Sequence, residues 1–163
     1  MPEPTTPASR AGTADPVLYS ERLWPSLWVW VVAIGVSAAG ILVFAPITLA
    51  AGYTAAVVIF IVLGGALIAS TPVVRVTART FQAGRATLPL EFAGRVEAFR
   101  GEEATAERGP RLNGLAYLCL RGWISPVVRV ELTDPDDRTP YWLVSSRHPD
   151  KLVAALAESS RTA

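Results

Sequence analysis

The sequence has no charged residue between Leu23 and Val74, whether acidic, basic or histidine. A membrane-spanning helix needs roughly 20 predominantly apolar residues to cross a hydrocarbon core of about 30 Å. The uncharged run is about twice that long, and it is interrupted near its centre by Pro46 and Gly52. The absence of charge therefore predicts a transmembrane helical hairpin, with spans at about residues 25–45 and 54–71.

The same absence bears on function. Ion pathways, proton relays and voltage sensors place ionisable side chains within the membrane, where each costs several kcal/mol unless it is functionally required. The two predicted spans contain none. We therefore expect the hairpin to be an anchor and disfavour a transporter or channel.

Cysteine and histidine are also scarce, with one residue of each type, Cys119 and His148. A single cysteine excludes an intrachain disulfide, and the pair disfavours a zinc site built within one chain. No cofactor and no metal site are predicted.

The charge of the head is nearly balanced, since residues 73–163 carry 13 Lys and Arg against 11 acidic residues. This balance does not favour a nucleic-acid partner, because nucleic-acid binders usually present a concentrated basic patch.

The flanks of the uncharged run predict its orientation. Arg10 and Arg22 precede the first span, and three more arginines follow the second. Because Lys and Arg near span ends favour the cytoplasmic side, both termini are expected in the cytoplasm, in a multi-pass protein of the plasma membrane. Anionic lipid headgroups could bind the nearby cations at about 1 kcal/mol each, or these cations could only set the topology. The candidate membrane-surface contacts are Arg22, Arg75, Arg79 and Arg85.

Small residues recur at helical spacing within the predicted spans. They are Gly35 with Ala39, and Gly65 with Ala69. Such pairs allow helix backbones to approach closely. They favour packing of the two hairpin helices against each other, or they simply reflect an alanine-rich composition; the alternative is a homo-oligomer formed through one of these faces.

After Val73 the apolar period changes from helical to alternating, which is typical of strands. We predict a disordered tail over residues 1–16, the two spans within 17–72, a cytoplasmic β-rich head over 73–158 and a tail over 159–163. Pro89 restricts its strand to a sheet edge or a bulge, and the charged segment 100–113 is predicted to be a loop with one helical turn at most. The predicted strands cover 74–80, 86–90, 94–99, 115–120, 127–133 and 141–146, and a helix covers 149–158.

Several antiparallel strands followed by one helix predict a small mainly-β domain, which we interpret as a pleckstrin-homology-like barrel or sheet. An unrelated small antiparallel sheet with a terminal helix is the alternative.

The candidate chemical groups of the head are predicted to have structural roles. No triad partner or elbow motif accompanies the group Ser145, Ser146, Arg147 and His148. The other ligands of a calcium loop are missing around Asp134, Asp136 and Asp137. Tyr141 and Trp142 are expected on strand faces, Glu102, Glu103 and Glu107 in the charged loop, and Cys119 as a buried thiol. No catalytic residue is predicted.

Three segments carry a family resemblance: LYSERLWPSLWVW, RVTARTFQAGRATLPLEFAGRVEAF and PYWLVSSRHPDKLVAAL. They resemble the actinobacterial membrane-protein family catalogued as domain of unknown function 3093, over residues Leu18 to Leu156. The chain is also similar, more loosely, to bacterial pleckstrin-homology-like domains. The family has no established activity, so the resemblance implies no catalytic residue.

The function expected from these features is that of a non-enzymatic, membrane-anchored interaction or scaffold module. Its head would recruit an unidentified protein partner or contact the lipid bilayer. The alternative is an accessory subunit or enzyme of cell-envelope metabolism that acts at the inner leaflet.

Overall fold

The structure, a computed structural model, describes residues 15–162. Most of the predicted N-terminal tail therefore lies outside the described residues. Strands and helices are numbered here in chain order. The strands are β1 (Val17–Arg22), β2 (Val73–Thr77), β3 (Thr80–Ala83), β4 (Ala86–Pro89), β5 (Ala93–Phe99), β6 (Tyr117–Cys119), β7 (Val127–Leu132) and β8 (Tyr141–Ser145); the helices are α1 (Leu27–Phe44), α2 (Leu49–Ala69), α3 (Gly101–Arg108) and α4 (Pro149–Thr162), with a 3₁₀ turn at Leu90–Phe92.

The uncharged run forms two antiparallel helices that are long and apolar enough to cross a membrane. With 18 and 21 residues, α1 and α2 extend about 27 and 32 Å. Only 17% and 11% of the residues in their apolar windows are buried, so most of their apolar surface faces outward. The second helix begins earlier than predicted, because the Thr48 hydroxyl accepts a hydrogen bond from the Ala51 amide at 3.1 Å and caps it.

Three glycines lie where the two helices approach each other. A Cβ added at Gly40 would lie 2.9 Å from the Ile59 Cδ1 atom, and one at Gly52 would lie 3.1 Å from the Ile41 carbonyl oxygen. At Gly64 the nearest atom would be a ring carbon of Trp30, at 3.4 Å. The helices of the hairpin therefore meet through these three glycines, none of which belongs to the pairs Gly35/Ala39 and Gly65/Ala69 predicted from the sequence.

The small residues selected from the sequence lie elsewhere. Gly35, Ala39, Gly65 and Ala69 are all exposed on the surface of the hairpin. A Cβ at Gly35 or Gly65 would meet no atom within 4 Å. The prediction that these residues join the two hairpin helices is therefore wrong, because spacing identifies a stripe of small residues without showing which side of the helix faces its neighbour. Their contact with a second copy stays a prediction.

The first sheet contains a strand that precedes the hairpin in the chain. Its order is β1-β2-β3-β4, with antiparallel neighbours throughout. Arg22 pairs with Val73, and the Leu23 amide donates a hydrogen bond to the Pro72 carbonyl oxygen at 3.1 Å. The helical hairpin thus occupies the position that a tight turn between β1 and β2 would otherwise fill.

The strand predicted over residues 74–80 is divided into two. β2 ends at Thr77, whose hydroxyl accepts hydrogen bonds from the backbone amides of Thr80, at 3.0 Å, and Arg79, at 3.3 Å. This side chain stabilises a tight turn, as threonine hydroxyls commonly do. The prediction for Pro89 is confirmed, because it ends β4, which is an edge strand.

The second sheet has the order β5-β7-β8-β6. β5, β7 and β8 are antiparallel neighbours, whereas β6 runs parallel to β8. The prediction of a purely antiparallel head is therefore wrong at the β6 edge of this sheet. Within the described residues neither sheet closes on itself, so a closed barrel is not confirmed.

Part of the predicted loop at 100–113 is the helix α3. Glu102 and Glu103 lie in its first turn and Arg108 in its last, which complements the helix dipole. Its buried side is formed by Ala104 and Glu107, which are 1% and 3% exposed. A buried face this short leaves little periodic signal in the sequence, which is why the prediction of a loop is wrong for this part of the segment.

One hydrophobic core joins both sheets to α4. Leu23, located between β1 and α1, is fully buried in it together with Val74, Phe81 and Leu152. The helix α4 continues through Thr162 beyond the predicted end at Glu158, and Ser159 is fully buried. The residues predicted to form a tail after 158 thus largely continue the helix.

Candidate functional site

Several segments of the head meet where the hairpin leaves it, a region we call the junction. It comprises residues 22–26, which lead into α1, residues 70–73, which lead from α2 into β2, and three segments of the head that contact them: the β3–β4 turn, the residues after β6 and the residues after β8. The Gly84 amide donates to the Val73 carbonyl at 2.9 Å, and the guanidinium groups of Arg121 and Arg147 donate to the carbonyl oxygens of Ser70 and Trp24. The junction therefore gathers residues that are far apart in the sequence.

A cleft of about 540 Å³ lies at the junction. The last turn of α2 forms one wall, and the β3–β4 turn and the segment around β6 form the others. Polar and charged side chains from the head line it, including Gln82, Arg85, Tyr117 and Arg121. None of its lining residues, all within the described part of the chain, is acidic.

Arg121 is held against the wall of this cleft. Its Nη1 donates to the Leu120 carbonyl oxygen at 2.9 Å, and its Nη2 donates to the carbonyl oxygen of Ser70, the residue that caps the C-terminal end of α2. An arginine suits the end of a helix because its charge favours the negative end of the dipole. Its Nε–H is buried and has no acceptor among the described residues.

Arg85 enters the cleft from the β3–β4 turn. The turn depends on Gly84, whose φ of 66° lies in the left-handed region that glycine adopts without strain. The Arg85 side chain is exposed, and it forms no hydrogen bond or ion pair with any other described residue. Its guanidinium group is therefore available to a ligand.

The floor of the cleft is less polar. The Tyr117 hydroxyl donates to the Ala83 carbonyl at 2.8 Å, and its ring packs on Trp142 with centroids 4.4 Å apart. Burial raises the pKa of Tyr117 and the pKa of the neighbouring Cys119 thiol. Cys119 is therefore mostly a protonated thiol, in agreement with the predicted buried thiol.

A second polar cluster connects β1 to the loop before α4. The Glu21 carboxylate accepts hydrogen bonds from the Tyr19 hydroxyl and the Ser146 hydroxyl, each at 2.6 Å, and from the Arg147 amide at 2.9 Å. Burial and the carboxylate of Glu21 raise the pKa of Tyr19. The cluster fixes the strand that leads into α1 to the head.

Replacing Glu21 with alanine is expected to destabilise the head by about 1–3 kcal/mol, because the buried Ser146 hydroxyl and its neighbouring donors lose their acceptor. A lower melting temperature of the purified protein in detergent would measure the loss. Glu91→Ala, at an exposed glutamate, is the control and should change it little. Equal melting temperatures for the two variants would contradict a structural role for Glu21.

The predicted surface cations are distributed over the first sheet. Arg22 and Arg85 lie at the junction, and the Arg22 guanidinium lies 4.5 Å from the Trp24 ring centroid. Arg75 is exposed halfway along β2, whereas Arg79 lies in the turn beyond its far end, 3.7 Å from Asp15. Since β2 spans about 13 Å, Arg79 is the predicted cation farthest from the hairpin along this sheet.

Two junction cations, Arg121 and Arg147, were not selected from the sequence as membrane-surface contacts. Arg121 follows β6 and Arg147 follows β8. Each arginine is the second residue after its strand, and the parallel pairing of the two strands brings their ends to the same edge. The arginine that follows each strand could have been predicted as a cation near the membrane surface only if the pairing of β6 with β8 had been known.

The other candidate chemical groups are engaged in local structure. The Ser145 hydroxyl accepts the Arg121 amide at 3.0 Å, and the contact between Ser146 and His148 uses the backbone nitrogen of His148. Glu107 lies 3.5 Å from both Arg111 and Arg129.

The aspartates after β7 form local turn contacts. The Asp134 and Asp137 carboxylates accept backbone amides two residues ahead. The hydrogen bond from Thr139 lowers the pKa of Asp137. Among the described residues no group of three or more histidine, cysteine or acidic side chains could hold a metal ion.

Comparisons with known proteins agree with the resemblance seen in the sequence. No curated protein and no solved structure gives a significant match. A protein family described as "Protein of unknown function (DUF3093)" matches residues 18–156, from the second residue of β1 into α4. Since this match covers most of the chain, the protein belongs to the DUF3093 family of proteins of unknown function.

Proposed function

We propose that this protein is a membrane-anchored interaction module, in which the helical hairpin holds the head at the cytoplasmic surface of the plasma membrane. The observation that carries the proposal is the exposed apolar surface of α1 and α2, whose residues are mostly not covered by the rest of the chain. A core helix of a soluble protein would be largely buried, and exposed apolar area of this extent favours contact with lipid.

The way the hairpin is attached to the head supports the proposal that both of its ends lie on the same side of the bilayer. β1 and β2 are paired neighbours, and the backbone contact between Leu23 and Pro72 continues that pairing to the helices. The head and both ends of the hairpin would therefore lie on the same side of the bilayer. The arginines at the junction favour the cytoplasmic side.

A non-enzymatic, scaffold-like role is part of the proposal. Two sheets with α4 packed against them support the pleckstrin-homology-like interpretation of the head, a fold suited to presenting sheet edges and loops to partners. Ser145, Ser146 and Glu107 are occupied by contacts that stabilise the head. An unidentified protein and the bilayer are the proposed partners.

Anchoring and orientation are tested together in cells. The protein should remain in the membrane fraction after alkaline extraction. A reporter that is active only in the periplasm should be inactive when fused after Ala163 and active when fused after Ile47, in the turn between α1 and α2. Extraction into the soluble fraction would contradict the anchor, and activity of the reporter after Ala163 would contradict the orientation.

The interaction role has a separate test. Affinity purification of the full chain in mild detergent should recover the same protein partner reproducibly, or the purified chain should bind anionic lipid. If the chain is always recovered alone and binds neither partner nor lipid, the interaction role fails while the anchor can still stand.

A further inference from the structure

We infer that the cleft at the junction binds a phosphate-bearing anion between Arg85 and Arg121. The inference rests on the proposed function and gives its lipid contact a particular site. The ligand chemistry is a phosphate group, carried by a lipid headgroup or by a free phosphate.

The charge of the cleft favours an anion. Arg85 and Arg121 both line it, and no acidic residue does. Neither arginine forms an ion pair with any described residue. Two like charges in one partly enclosed cleft repel each other, and an anion between them would remove that repulsion.

The two arginines have donors left for a ligand. A guanidinium group has five N–H donors. Arg121 uses one N–H of each Nη atom for the Leu120 and Ser70 carbonyls, which leaves the second N–H of each Nη atom for a ligand. Arg85 retains all of its donors, and paired guanidinium groups suit the oxygens of a phosphate.

The position of the cleft suits a headgroup. Its wall includes Ala69, the last residue of α2, together with Ser70 and Thr71. A lipid packed along α2 would place its headgroup at the end of that helix. Leu118, which is 45% exposed and also lines the cleft, provides an apolar surface beside the charged groups. The volume of about 540 Å³ lies in the usual range for small-ligand sites.

The test uses the purified full chain in detergent and two probes. Native mass spectrometry measures binding of phosphatidylglycerol, with phosphatidylcholine as the uncharged comparison, and a thermal shift measures binding of inorganic phosphate. The main variant is Arg85→Gln, because this side chain is exposed and its loss should not affect folding. Arg138→Gln is the matched control, since Arg138 is an exposed arginine in the β7–β8 connection, at the opposite end of β8 from Arg121.

We expect phosphatidylglycerol to bind more tightly than phosphatidylcholine, and Arg85→Gln to weaken its binding about fivefold while Arg138→Gln leaves it unchanged. A thermal shift with inorganic phosphate, lost in Arg85→Gln and without lipid binding, would support the site and assign it to a free phosphate. Equal binding of both probes by the wild type and Arg85→Gln would overturn the site, as would no binding of either. Membrane retention after alkaline extraction is independent of these results and would leave the anchor standing.

Discussion

Replacing residues 24–71 with a two-residue Asn-Gly turn is expected to convert the protein into a soluble, folded head. The two ends of the excised segment are already neighbours, because the Leu23 amide donates to the Pro72 carbonyl at 3.1 Å. A two-residue turn is the usual connection between antiparallel strands joined in this way, and Asn-Gly suits its backbone conformation. Pro72 is replaced with valine in the same protein, because a two-residue turn is closed by a backbone N–H at that position, which proline lacks. Removal of the exposed helices would also remove most of the exposed apolar surface.

The matched control is a head that begins at Val73. It lacks the hairpin as well, but it also lacks β1, the buried Leu23 and the Glu21 cluster. Loss of Leu23 alone should cost about 1.5–3 kcal/mol, a large share of the stability of a typical small domain, about 5–15 kcal/mol. Cooperative thermal unfolding and dispersed amide spectra should be seen for the Asn-Gly protein and be lost or strongly weakened in the control. Two equally stable heads would show that β1 is not part of the folding unit.

Leucine at Gly52 should separate the two helices of the hairpin, whereas leucine at Gly35 should not. A side chain at Gly52 would meet backbone atoms at the C-terminal end of α1, namely the Ile41 carbonyl oxygen at 3.1 Å and the amide nitrogen of Ala45, which caps the helix, at 3.4 Å. Backbone atoms cannot move aside as a flexible side chain can. We therefore expect Gly52→Leu to lower the free energy of unfolding by about 1–3 kcal/mol, the usual cost of overpacking. The melting temperature of the purified protein in detergent would show it.

Gly35→Leu is the control because a Cβ there meets nothing within 4 Å. It also tests the homo-oligomer hypothesis, since the exposed stripe of Gly35 and Ala39 would be the contact between two copies. An unchanged melting temperature with a smaller oligomer would support that hypothesis, and an unchanged oligomer would count against it. Equal destabilisation by both leucines would contradict the glycine interface described for α1 and α2.

Much of the head could be predicted because its signals are local. The apolar periods predicted β5, β7, β8 and α4 within a few residues of their observed bounds. The turn after Thr77 and the helix α3 were not predicted. At Thr77 a side-chain hydrogen bond divides a continuous alternation of apolar and polar residues into two strands. The helix α3 is too short to show a helical period of apolar residues.

The cleft could be predicted only in part. Arg85 was selected because it follows the second span closely in the sequence. Arg121 and Arg147 come much later in the chain, and they reach the hairpin because β6 and β8 run side by side toward it. No pattern within either segment indicates such an approach.

Two apolar helices and a strand-rich head follow from the sequence alone, because the missing charges and the apolar periods are properties of neighbouring residues. Three features depend on the tertiary structure: Val17–Arg22 belongs to the head, Gly40, Gly52 and Gly64 join the hairpin helices, and Arg85 and Arg121 share a cleft. Each of these features depends on contacts between distant segments. A strand does not encode which strand it will pair with, and a small residue does not encode which helix it will meet.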